Sequence, residues 1–184
     1  MNREEVLRYM RTNSKTQDEK ILALADEAIE MIEKGVQVKT LYRIFDCAVS
    51  ENEVEIEGCV FKSQHLAKNL YGCKRVVIFG ATLGLECDRM INLAATQNLS
   101  LAMALQAAAA QKIEEVCDCL EEEIKKEHKI KLRNRFSPGY YDLDITEQKK
   151  LFSLIELTKR IGITLSETCE MLPSKSVTAF IGID

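Results

Sequence analysis

With 184 residues, 46% of them hydrophobic and 29% charged, and only eight glycines and two prolines, the chain can bury one substantial core. It is too apolar for a disordered protein and too poor in turn formers for an all-β one. A net charge of −4 gives nucleic acid or an anionic membrane no footing as the principal partner.

In chain order, residues 3–11 and 17–34 are expected to be helices. The second carries an apolar stripe of Ile21, Leu22, Ala25, Ala28, Ile29 and Ile32, with Gly35 as its stop. The charged amphipathic start MNREEVLRYM does not resemble a signal peptide, and no apolar run reaches the roughly 18 residues of a membrane span, so a cytoplasmic location is expected. Two strands follow, LYRIFDC at 41–47 and an alternating 53–60, with SENE as the turn between them. Ser63 opens a short helix over 63–71. RVVIFGA at 75–81 is an unbroken apolar run and the best candidate for a central strand covered on both faces.

The next segment, GATLG, puts glycines at 80 and 84 between strand and helix. Free amides there could receive an anionic group, or the glycines could simply make a tight turn; neither a GxGxxG nor a Walker lysine is present. From about 84 to 128 the pattern is helical, in two segments broken near TQNLS at 96–100. Leu101, Leu105, Ala109, Ile113, Val116, Leu120 and Ile124 form the core-facing stripe of the second segment, leaving Glu114, Glu115, Asp118 and Glu121 to Glu123 on the far face. Six basic residues within 125–135 suit the negative end of that helix. Asp144 and Glu147 read as a capping box before a helix sharing Leu151, Leu154, Ile155, Thr158 and Ile161 on one face and ended by Gly162. SVTAFIGI at 176–183 alternates and closes the chain on a strand. Helices and strands interleave without a repeated βαβ unit, which predicts an α+β fold: a mixed or antiparallel twisted sheet with long helices packed against it.

Seven cysteines lie scattered without a CxxC pair, the expectation for reduced thiols used as small hydrophobes. Cys117 and Cys119 would point about 200° apart on a helix, and His65 and His128 have no neighbours at ligand spacing, so no metal site is assigned. No catalytic residue is assigned either.

RNRFSPGYYD at 133–142 concentrates a different chemistry. Arg135 can hold a carboxylate bidentately, Gly139 after Pro138 allows a positive φ and close approach of a ligand to the backbone, and Tyr140 or Tyr141 offers a π face to a heterocycle or a cation. An amino acid joined to a purine would use all three; a surface turn with a salt-bridged arginine would use none.

Residues 135–183 resemble the S-adenosylmethionine-binding activation domain of cobalamin-dependent methionine synthase. The resemblance covers Arg135-x-x-x-Gly139-Tyr140, the helix carrying EQKKLF, the turn IGITL, Ser166-Glu167-Thr168, and Pro173-x-x-Ser176-Val177 before the last strand. VVIFGATLG and the helices after it look like the stand-alone bacterial versions of the domain, which extends the resemblance over most of residues 40–184, with 1–39 as an N-terminal helical segment.

The resemblance implies that this chain binds S-adenosylmethionine through Arg135, Pro138, Gly139 and Tyr140, with Glu114 of E-x-V-C-D-x-L facing the site. It also implies that cobalamin is carried by a partner, a separately encoded cobalamin-binding methionine synthase subunit, and that a flavodoxin-like or other donor supplies the electron. The chain is then a reactivation component that acts only together with that partner in the reductive methylation of cob(II)alamin. The alternative is a non-catalytic binding or scaffold module for another corrinoid methyltransferase. An ordinary S-adenosylmethionine-dependent methyltransferase ranks below both, because GATLG comes too late in the chain for a doubly wound sheet. The long methionine synthases carry an early aspartate motif and a C-terminal tyrosine pair that have no counterpart here.

Overall fold

A computed structural model describes residues 1–184. Its centre is a three-stranded antiparallel sheet in the order β1 (Lys39–Asp46), β5 (Arg75–Thr82), β8 (Ser176–Ile183). RVVIFGA is the middle strand as expected, buried on both faces from Val76 to Thr82. The order is wholly antiparallel, which settles the mixed-or-antiparallel alternative. Beyond β8 the chain at 132–136 lies alongside as a ragged fourth strand: Arg133 N donates to Gly182 O at 2.9 Å, and Phe136 and Phe180 exchange backbone bonds of 2.9 and 2.8 Å.

Alternation along the strands divides the core in two. Val77, Phe79, Ala81, Ala179 and Ile181 face one side, where they meet α1 (Arg3–Tyr9), α2 (Glu19–Gly35), α4 (Leu85–Gln97) and α5 (Leu99–His128) in a single apolar cluster. Val76, Ile78 and Phe180 face the other, under α3 (Gln64–Leu70), α6 (Gln148–Ile155), α7 (Leu157–Ile161) and a meander of β2 (Ala48–Val49), β3 (Glu53–Ile56) and β4 (Cys59–Lys62).

Helix α5 is the longest element, 30 residues or about 45 Å. Asn98 separates it from α4: its backbone closes α4, and its Oδ1 accepts from Leu101 N at 3.1 Å to open α5. The expected stripe holds, with Leu105, Ala109, Ile113, Leu120 and Ile124 buried.

Three local expectations are corrected. Residues 53–60 are not one strand but a hairpin of β3 and β4, because Glu57 and Gly58 both take positive φ (50° and 77°) and turn the chain back. The helix expected to run from 144 to 161 is broken at Glu156, whose φ of 49° separates α6 from α7. The capping box does not close: Asp144 Oδ1 accepts from Thr146 N at 2.8 Å, while Glu147 pairs with Lys150. A short hairpin of β6 (Thr164–Leu165) and β7 (Met171–Leu172) follows, which the sequence pattern did not reveal.

Both glycines of GATLG have steric reasons to be glycine. A Cβ at Gly80 would collide with the side chain of Leu157 in α7, and at Gly84, where φ is 81°, it would sit 3.1 Å from Gln37 O. No helix is long and apolar enough to cross a membrane.

Candidate functional site

Pairing beside β8 ends at Phe136, and the next residues leave the sheet in a tight loop. Gly139, at φ 89°, makes that loop possible; its N–H donates to Leu143 O at 2.8 Å. One more contact fixes the loop. Asp142 reaches the start of α3, where it accepts from Ser63 Oγ at 2.5 Å, Gln64 N at 2.7 Å and His65 N at 3.3 Å. These bonds, led by the Ser63 hydroxyl, lower the Asp142 carboxyl to about 2. His65 then lies flat against Tyr141, ring centroids 4.6 Å apart.

As the loop leaves, the outer edge of β8 from Ser176 to Thr178 is left uncovered, and a cavity of about 370 Å³ opens there. Arg135, Pro138, Tyr140 and Glu114, expected from sequence, all line it. Gly139 is not among the lining residues; it shapes the turn that carries its neighbours. Sequence reasoning missed the floor of the cavity: Ser176, Val177 and Thr178 of β8, Gln148 of α6, and Met171 of β7. Gln148 had left a signal, since it occupies the same helical face as Leu151 and Ile155 and is a polar residue in a core stripe. Ser176 and Val177 stood in the Pro173-x-x-Ser176-Val177 motif without being assigned to the site, and Thr178 had no signal, because strand alternation marks a face and not an opening.

The most marked electrostatic feature is the setting of Arg135. Its Nη2 donates to Glu114 Oε2 and its Nη1 to Asp118 Oδ1, each at 2.9 Å, and Glu121 Oε1 lies 2.9 Å from the same Nη1. The acidic side of α5 expected to face solvent is therefore partly turned to the site: residues 114, 118 and 121 are spaced to share one helical stripe, and the chain leaving β8 brings the guanidinium onto it. Glu121 is only 16% exposed, against 70% for Asp118. Burial pushes the Glu121 carboxyl above its usual range, with Arg135 opposing. For Arg135, burial acts to lower the pKa, but Glu121, Cys117 and the other acidic neighbours outweigh it and the net shift is upward.

The cysteines divide by exposure. Cys117 is buried, its thiol pushed up by burial to about 12, while Cys119 two residues on is exposed. All seven are unpaired.

The fold matches a known type of module. The chain superposes on the crystal structure of the MetH reactivation domain bound to AdoHcy with a TM-score of 0.70 over 89% of its length, at 19% identity, and spans 65% of that chain. Comparison with curated proteins returns no match. The family model for the activation domain of vitamin B12-dependent methionine synthase matches residues 71–183, so the chain belongs to that family. The match takes in α5, the RNRFSPGYYD loop, α6, β7 and β8, the elements that line the cavity.

Proposed function

We propose that this chain binds S-adenosylmethionine in the cavity beside β8 and serves as the reactivation component of a separately encoded cobalamin-dependent methionine synthase. Residues 40–184 form the activation domain in this reading, and 1–39 contribute two helices to its core.

The observation that carries the proposal is the joining of two unlike halves in one cavity. Arg135 and Glu114, one cation and one carboxylate, suit the α-carboxylate and α-ammonium of an amino acid. Tyr140, Tyr141, Ile145 and Met171 supply the apolar and aromatic wall that a nucleoside needs.

No general base is required. A methyl group on a sulfonium is already activated, so the protein's task is to hold it in line with the acceptor. The corrinoid, held by the partner, supplies the nucleophile once an electron from a flavodoxin-like or other donor has reduced it. This chain's part would be to hold the sulfonium so that its methyl group faces that nucleophile; on transfer the electrons of the carbon–sulfur bond would stay on sulfur, and the cavity would be left holding a neutral thioether.

Calorimetric titration of S-adenosylmethionine into the purified protein, with Arg135→Ala as control, tests this. Binding by the wild type that the variant loses supports the reading.

The arginine's existing partners favour one alternative. With three carboxylates already around Arg135, the chain could have kept the frame as a scaffold for another corrinoid methyltransferase without taking up the ligand. That reading expects no heat with S-adenosylmethionine, alone or with a cobalamin-loaded module present, and retained association with the corrinoid protein.

A further inference from the structure

The mechanism proposed above leaves one buried polar group unused. Gln148 is 2% exposed, at the first turn of α6, and lies on the wall of the cavity. Its Oε1 accepts from Thr178 Oγ1 at 2.8 Å. That bond holds one end of the amide, and the other end, Nε2, has no partner within the chain.

That nitrogen is not sealed in without a partner, as Asn69 Oδ1 and Gln111 Oε1 are; it reaches the open cavity, on a Gln148–Leu151–Ile155 stripe that leucine would otherwise complete. Structural glutamines in a core have both ends occupied. Here one end is held and the other is left at the cavity wall.

The surroundings indicate what it meets. Thr178 lies two residues from Phe180, the last residue of β8 whose outward backbone groups are paired by the chain at 136. Strand alternation turns the Thr178 N–H and C=O outward as well, over the stretch where nothing covers the edge. Gln148 and Thr178 thus belong to the polar floor of the cavity, whereas Arg135 and Glu114 form its charged end.

We propose that Gln148 is a ligand-binding residue whose Nε2 donates a hydrogen bond to an acceptor atom of the adenosine half of the ligand, with Thr178 as the positioning residue that aims it. The inference rests on the function proposed above and adds a nucleoside-reading contact to the amino-acid grip of Arg135.

The test is titration of S-adenosylmethionine and of free adenosine into wild type, Gln148→Leu, Gln148→Glu and Thr178→Val. Gln148→Leu should weaken both ligands about five- to tenfold, the worth of one hydrogen bond. Gln148→Glu keeps the acceptor that Thr178 uses and, once ionised, offers a second acceptor in place of the donor, so at a pH above the titration of that carboxyl it should weaken both further, with a lower Tm because the group is only 2% exposed. Thr178→Val frees the amide to rotate and should fall between wild type and Gln148→Leu. Adenosine analogues then locate the acceptor. If a ring nitrogen receives the bond, the 1-, 3- or 7-deaza analogue lacking it loses the difference between wild type and Gln148→Leu; if the ribose does, a 2′- or 3′-deoxy analogue loses it.

Wild type and Gln148→Glu binding within twofold of each other would overturn the assignment while leaving S-adenosylmethionine binding intact. A wild type that takes up no S-adenosylmethionine would overturn the proposed function, and this contact with it.

Discussion

Replacing Arg135 by methionine would remove the one cation that three carboxylates share while keeping most of the unbranched stem that packs in the site. The pairs with Asp118 and Glu114, whose carboxylates are 70% and 47% exposed, contribute about 0.2–1 kcal/mol each. The pair with Glu121, 16% exposed, is a charge-assisted contact in a drier setting and contributes about 1.5–3 kcal/mol. Together they amount to about 3 kcal/mol at neutral pH, a fall in Tm of about 6–12 °C for a chain of this size.

The dependence on pH is more diagnostic than the size. Glu121 is already held above the ordinary carboxylate range by burial, and without the guanidinium it should titrate higher still. A carboxyl with a raised pKa in the folded state binds its proton more tightly folded than unfolded, so its ionisation costs stability as pH rises through the folded value. The variant's deficit should therefore be small at acidic pH, where Glu121 is protonated, and grow toward neutrality. Melting curves of both proteins from about pH 4 to 7.5 measure it. A deficit constant across that range would show that Arg135 acts through packing alone and would refute the acidic-cage account.

Asp142→Asn should loosen α3 and the Tyr141 loop together. The wild-type carboxylate is depressed to about 2, so its contribution is present above the unfolded aspartate range and is lost as pH falls toward 2; the Tm difference between wild type and variant should shrink over that interval. Gly139→Ala places a side chain at φ 89° and its Cβ 3.2 Å from Ile145 Cδ1, which should cost about 1–2 kcal/mol. It should also weaken S-adenosylmethionine binding, both read by melting and titration; an unchanged affinity would separate the turn from the site.

Much of the architecture was legible because it is periodic. The stripes of α2 and α5, the apolar run of β5 and the alternation of β8 each reflect a local geometry that repeats every 3.6 or 2 residues. The break near 96–100 and the stop at Gly162 were marked by local residue chemistry, although only the structure showed Asn98 to be the cap. Less visible were the reversals made by residues that rarely reverse a chain: Glu57 in the β3–β4 turn and Glu156 between α6 and α7 both have positive φ without being glycine. Their conformations are imposed by the packing on either side and have no strong local signature.

The site divides in the same way. Arg135, Pro138, Gly139 and Tyr140 lie within one six-residue stretch, so the sequence alone marked them and, through their resemblance, named the family that the comparison confirms. The helical pattern also placed Glu114, Asp118 and Glu121 on the face away from the core, and only the resemblance turned Glu114 toward the site, since such a pattern shows which face is polar and not what lies opposite. Only the tertiary structure brought Arg135 onto that face, set Gln148 against Thr178 across 30 residues, and left the edge of β8 open between them. Those arrangements depend on where the chain parts from β8 after Phe136, and that point is set by long-range packing and pairing, which no local pattern in the sequence encodes.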